Sequence, residues 1–185
     1  MIEDHLSDDE SRQWFGGVVA TMQIIAGGLM AGVISFAAIA FVVAGGEKAN
    51  DDAQAAEDGV PVLTIVGAGF AILLAISAAV VTAQIKKPVT TESSQTPPQT
   101  VPENIVQALF LYQSRMIIWF AMLEGGAFFN LIAYIVEGQW VSYVVVAVLL
   151  MTMAATFPSR AAVATWVRQR LELEATNDDG FPSFN

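Results

Sequence analysis

The apolar residues of this chain fall in long blocks that are separated by short polar segments. A soluble domain places its core residues at a period of about 2 or 3.6, whereas a run of about 18 or more apolar residues indicates a helix that crosses a bilayer. Four blocks reach this length. The pattern predicts an all-α, polytopic membrane protein with four transmembrane helices, at about residues 16–46, 62–83, 105–136 and 140–157.

Two helical segments are expected to extend outside the hydrocarbon core. Residues 105–136 would form a helix of roughly 50 Å, because each residue adds about 1.5 Å, so its first turns should be cytoplasmic. Residues 159–174 place valine and tryptophan on one side and arginine and glutamine on the other. This pattern predicts a cytoplasmic amphipathic helix at the membrane surface.

The polar segments divide the chain into three parts. An acidic N-terminus, residues 1–15, precedes the transmembrane domain of residues 16–158, and the amphipathic helix with an acidic tail follows at 159–185. Residues 86–101 are rich in Pro, Thr and Ser, which predicts a disordered cytoplasmic loop, since such a composition cannot bury a core. The net charge of −10 and the lack of a basic stripe argue against a nucleic-acid partner.

The lysine and arginine residues that flank the apolar blocks predict the orientation of the chain. Basic residues near the ends of spans collect on the cytoplasmic side, and acidic residues have little influence. The bias puts both termini and the central loop in the cytoplasm. Seven basic residues lie on that side and Lys48 on the other; the seven are Arg12, Lys86, Lys87, Arg115, Arg160, Arg168 and Arg170.

Small residues recur at helical spacing in the first two predicted spans. Membrane helices associate by close backbone approach at Gly and Ala, because lipid tails are as apolar as leucine. We therefore expect these helices to pack on each other, or one of them on a neighbouring subunit. The candidate packing residues are Gly28, Gly32, Gly67, Ala71, Ala75, Ala79 and Ala83, together with Gly125 and Gly126 in the third span.

Glu124 is the single ionisable residue inside the third apolar block, which runs from Met116 to Val136. It should lie roughly 12 Å into a core of about 30 Å from the cytoplasmic side. A charged side chain at such depth is costly, so Glu124 should face protein or water, and be neutral unless a donor is near. Two interpretations stay open: a proton- or ion-binding site, or a neutral group that pairs helices. Gln23, Asn130 and Gln113 are the candidate supporting polar residues.

The hairpin of residues 62–136 resembles the proteolipid of rotary ATP synthases, subunit c. The resemblance rests on Gly67, Gly69 and Ala71 in the second helix, on Pro102-Glu103 in the loop, and on Glu124 in a helix that leaves the cytoplasm. It implies that Glu124 carries an ion in an oligomeric ring. The whole pattern looks more like that of small four-span proteins of bacterial inner membranes.

We expect no enzyme activity, no cofactor and no metal site. The chain has no cysteine, its single histidine is His5 near the N-terminus, and no phosphate-binding loop is present. The leading functional hypothesis is a subunit of an ion-translocating or other inner-membrane complex, as a homo-oligomer or with other chains, with Glu124 as its protonatable site. The alternative is a structural or assembly protein that recruits partners through its cytoplasmic loop and tail.

Overall fold

The computed structural model describes residues 9–48, 62–84 and 101–178. Within these ranges the chain forms five α-helices and no strand, which confirms the all-α class. Of the loop predicted at 86–101, residues 86–100 lie outside the described residues. The side chains of residues 45–48, 83 and 174–178 are also not described. The helices are α1 (Asp9–Lys48), α2 (Val62–Gln84), α3 (Glu103–Glu137), α4 (Val141–Ala155) and α5 (Arg160–Asp178).

The chain is an integral membrane protein. Helices α1, α2 and α3 are each long and apolar enough to cross a membrane. Helix α4 has 15 residues, about 22 Å of helix, and reaches the length of a span only when it is counted together with α5 as one bent span. The described residues thus provide three membrane-spanning helices, or four if the bent pair is one span.

Local sequence explains where the helices around α4 begin and end. Helix α3 ends at Glu137 because the next residue, Gly138, has a φ of 67°, the left-handed conformation that only glycine adopts easily. The N–H of Gly138 donates to the Tyr134 carbonyl at 2.7 Å. Pro158 cannot continue α4, because it has no N–H to donate. Ser159 then caps α5, since its Oγ accepts the N–H of Ala162 at 3.1 Å.

The chain divides into two compact units, and α1 and α3 contribute residues to both of them. Unit 1 is formed from the described residues of Met1–Ile25, Gln84–Ile117 and Pro158–Asn185. Unit 2 consists of the described residues of Ala26–Ala83 and Ile118–Phe157.

The exposed surfaces of the two units differ in chemistry. Of the described large hydrophobic side chains that are exposed, all but Ile24 and Leu173 belong to unit 2. Charged residue types are distributed in the opposite way: among the described side chains, unit 2 contains only Glu124 and Glu137. Unit 2 therefore has the apolar outer surface that lipid requires, and unit 1 has a largely polar one.

Unit 1 has its own hydrophobic core, to which α1, α3 and α5 all contribute. Val163 and Val167 of α5 are almost fully buried, so the apolar side predicted for this helix packs on protein. The α1 side of the core includes Trp14 and Met22, and the α3 side includes Leu109. The amphipathic helix expected at 159–174 is present, and its polar residues Arg160, Arg168 and Gln169 are exposed.

Candidate functional site around Glu124

Glu124 lies on α3 in unit 2 and faces α1. A methyl group on Gly32 would be 3.4 Å from Glu124 Oε1, so the carboxyl group rests on the α1 backbone at this glycine. One turn farther along both helices, the rings of Phe36 and Phe128 make an edge-to-face contact with centroids 5.2 Å apart. The Glu124 side chain is half-buried. The two helices hold the carboxyl group in place and leave part of it accessible.

The carboxyl group of Glu124 has no hydrogen-bond donor and no cation as a partner among the residues that the structure describes. Its nearest neighbour on α1 is a glycine, which has no side chain to offer. A carboxyl group in such surroundings can bind and release a proton without first breaking a protein hydrogen bond. That is the simplest chemistry this arrangement can perform.

The three polar residues predicted to support Glu124 do not hydrogen-bond to it in the described part of the chain. Gln23 belongs to unit 1, where its Nε2 donates to the carbonyl oxygen of Pro158 at 3.0 Å. Gln113 is half-buried and also belongs to unit 1. Asn130 is fully buried in unit 2 and bonds to backbone groups. The hydrogen bonds of Gln23 and Asn130 thus go to backbone groups elsewhere, and the predicted support of Glu124 by these three residues stays a prediction.

Asn130 joins α2 to α3 at Gly67. Its Nδ2 donates to the carbonyl oxygens of Gly67, at 3.0 Å, and of Gly126, at 2.8 Å. A methyl group on Gly67 would be 3.0 Å from Asn130 Oδ1 and 3.2 Å from Phe129 Cδ1. Oδ1 has no ordinary hydrogen-bond donor among the described residues, and the α-hydrogen of Gly67 points toward it as a weak C–H···O contact.

The glycine pair after Glu124 packs on other helices of unit 2. A methyl group on Gly126 would be 3.4 Å from Ala71 Cα on α2 and 3.6 Å from Leu149 Cδ1 on α4. One on Gly125 would be 3.9 Å from Leu74 Cδ1. Gly126 therefore allows α2 and α4 to approach α3 closely, as small residues do in membrane helices.

Where the structure gives a close neighbour for the other candidate packing residues, that neighbour belongs to α3. This holds at Gly32, Gly67 and Ala71. The expected packing of the first two helices on each other, or of one of them on a neighbouring subunit, stays a prediction. A methyl group on Gly28 would have no neighbour within 4 Å, and Ala79 is exposed. Small residues mark a face that permits close approach, but the identity of the neighbour depends on the rest of the fold. Ala75 is half-buried, and the side chain of Ala83 lies outside the described ones.

Sequence reasoning did not single out Glu137, which binds the first turn of α2. Its carboxylate accepts hydrogen bonds from the backbone N–H groups of Leu63, at 2.5 Å, and Thr64, at 2.7 Å. Thr64 Oγ1 in turn lies 3.2 Å from Ser142 Oγ at the start of α4. A carboxylate at a helix N-terminus satisfies free N–H groups and the positive end of the helix dipole. In the sequence, the feature that could have indicated this role of Glu137 is its position at the end of an apolar block.

Tyr143 links α4 to α1 in the same unit. Its hydroxyl donates to the carbonyl oxygen of Ala37 at 2.6 Å, and its ring makes an edge-to-face contact with Tyr134 at a centroid distance of 4.4 Å. Asn130, Glu137 and Tyr143 thus supply the cross-helix hydrogen bonds of unit 2 that reach the backbone.

No group of three or more His, Cys, Asp or Glu side chains that could hold a metal ion occurs in residues 9–48, 62–84 and 101–178. Comparison with known protein families, curated proteins and solved structures gives no match for this chain. None of these comparisons supports the resemblance of residues 62–136 to the ATP synthase proteolipid.

Proposed function

We propose that this integral membrane protein is a subunit of an ion-translocating complex in which the carboxyl group of Glu124 binds the transported proton. The observation that supports it most is the placement of this carboxyl group. It is half-buried beside Gly32, in a unit whose exposed surface is apolar, and no described residue gives it a hydrogen bond or an ion pair.

The hydrogen bonds of unit 2 favour this function over a role in helix pairing. A Glu that pairs helices would donate or accept a hydrogen bond across them, as Asn130, Glu137 and Tyr143 do. Glu124 makes no such bond with the described residues. Interhelical hydrogen bonds in membranes typically contribute about 0.6 kcal/mol, so stability is a weak reason for a carboxyl group at this position.

A proton is the ion that best suits the surroundings of Glu124. Hard divalent cations such as calcium take about six to eight oxygen ligands, and magnesium requires octahedral oxygen coordination. The structure places Gly32 beside this carboxyl group and the Phe36–Phe128 pair one turn farther along, and none of these residues offers a side-chain oxygen. A single carboxyl group is sufficient for a proton.

The proposal includes the cellular setting that the flanking charges predict. Both termini and the central loop would be cytoplasmic, and the membrane would be the inner one. The role is not enzymatic, and the complex consists of further copies of this chain or of other membrane proteins. The exposed positions of Gly28 and Ala79 suit a helix of such a partner, because small residues allow close helix approach.

Proton flux in liposomes tests the proposed function. Purified wild type, Glu124→Gln and Glu137→Gln would be reconstituted at equal density, and the decay of an imposed pH gradient followed. We expect wild type and Glu137→Gln to conduct above empty liposomes, and Glu124→Gln to fall to their level. Flux in Glu124→Gln equal to wild type would refute the role of this residue, and background flux in all three would refute proton conduction by the isolated protein.

A further inference from the structure

The polarity of α3 changes along this helix. The α3 residues that belong to unit 2 run from Ile118 to Glu137, and Glu124 and Glu137 are the charged residue types among them. Twenty helical residues cover about 30 Å, which is the thickness of the hydrocarbon core. The α3 residues just before Ile118 are therefore expected at the depth of the lipid headgroups.

Two arginines of unit 1 lie near this level. Arg115 precedes Ile118 by three positions on α3, and Arg160 follows Phe157, the last residue of unit 2, by three positions. Neither has an ion-pair partner among the described residues. By contrast, Arg168, farther along α5, pairs with Glu172 at 3.0 Å.

The contacts of the two arginines leave their guanidinium groups free to bind an anion. The Cζ atom of Arg115 lies 5.6 Å from the ring centroid of Trp166, and this ring also packs against Tyr112 at 5.3 Å. A guanidinium that stacks on an indole keeps its N–H edge for other partners. Arg160 is exposed, and a methyl group on Gly16 of α1 would be 3.4 Å from its Nη2.

We propose that Arg115 of α3 and Arg160, the first residue of α5, bind the phosphate groups of anionic phospholipids. Arginine suits phosphate because its planar donors form two parallel hydrogen bonds. Trp166 supports the assignment, because indole rings collect at the level of the headgroups. The bound lipid would secure α5, and with it unit 1, at the membrane surface.

Lipid-dependent thermal unfolding of the full chain tests this proposal. The protein in detergent micelles would be titrated with short-chain phosphatidylglycerol, or with phosphatidylcholine of the same chain length, and apparent Kd values taken from the rise in Tm. We expect tighter binding of phosphatidylglycerol. Replacing each arginine by glutamine should weaken it about fivefold, and replacing both about 25-fold, because one basic residue near an anionic surface contributes a factor of this size.

Three controls keep the test specific to lipid and to charge. Arg168→Gln should leave the Kd for phosphatidylglycerol unchanged, and the Arg115→Lys, Arg160→Lys double variant should keep most of the affinity. Inorganic phosphate in place of lipid should give no stabilisation at the same concentration. Any one of four results would overturn the proposal. The Kd for phosphatidylglycerol could be unchanged in the double glutamine variant, or Arg168→Gln could lose as much affinity as that variant. The double lysine variant could bind no more tightly than the double glutamine variant, or inorganic phosphate could bind as tightly as the lipid.

Discussion

Gly67→Ala tests the contact between α2 and α3 most sharply. The new methyl group would be 3.0 Å from Asn130 Oδ1 and 3.2 Å from Phe129 Cδ1, which is tighter than nine in ten Cβ contacts in folded proteins, so a neighbouring atom must shift. Either the helices separate or Asn130 rotates and loses its hydrogen bond to the Gly67 carbonyl. Overpacking typically costs about 1–3 kcal/mol, and an interhelical hydrogen bond about 0.6 kcal/mol.

Gly69→Ala is the matched control on the same helix. A methyl group on Gly69 would meet no neighbour within 4 Å, and both substitutions gain the same helix propensity of about 1 kcal/mol. The free energy of unfolding, measured by denaturation in mixed micelles, should therefore be about 2 kcal/mol lower for Gly67→Ala than for Gly69→Ala. The difference should shrink when Asn130 is replaced by alanine. Equal stability of the two glycine variants would show that the close contact at Gly67 is absent.

Three further predictions follow from other parts of the chain. Glu137→Ala should lower the free energy of unfolding by about 1 kcal/mol, because it removes the acceptor of two N–H groups at the start of α2. Glu137→Gln should lower it less, and equal losses in the two variants would contradict the capping role. Tyr143→Phe should cost about 1 kcal/mol in the same assay, since it removes the hydroxyl donor to α1 but keeps the ring; no loss would exclude that bond. A cysteine at Ala55 should react with an impermeant maleimide from outside the cell only, and labelling from the cytoplasmic side alone would reverse the proposed orientation.

The sequence was sufficient to predict the helices, because membrane spans are recognised from the length of an apolar run. Helix α3 illustrates this, since an end near residue 136 was expected and the helix ends at Glu137. The length of α4 was less well predicted. Its apolar residues continue to Phe157, but Pro158 stops the helical hydrogen bonds earlier, so α4 ends at Ala155.

The contacts around Glu124 could be predicted only in part. Helical spacing identifies residues that share a face, and in the structure Gly32, Gly67 and Ala71 lie close to α3. It cannot say which helix covers that face, because this depends on the rotation of every helix about its own axis. For the same reason the hydrogen bond between Asn130 and the Gly67 carbonyl was not foreseen.

The hydrogen-bond partners of Glu137 are even harder to predict from a sequence pattern. Its carboxylate reaches backbone N–H groups more than 70 positions away in the chain, and backbone groups leave no mark in the sequence. An acidic residue at the end of a membrane span is ordinarily interpreted as a residue that contacts water. Only the fold shows that the first turn of α2 lies beside it.

Infrared titration of the reconstituted protein tests the central claim most directly, because it observes the proton on Glu124 itself. Spectra recorded across a pH series would be compared between wild type and Glu124→Gln. We expect wild type to show a protonated carboxyl band that disappears reversibly as the pH rises and that Glu124→Gln lacks. A pH-dependent band that is identical in both proteins, or the absence of any such band in wild type, would contradict the assignment of Glu124 as an exchangeable proton site.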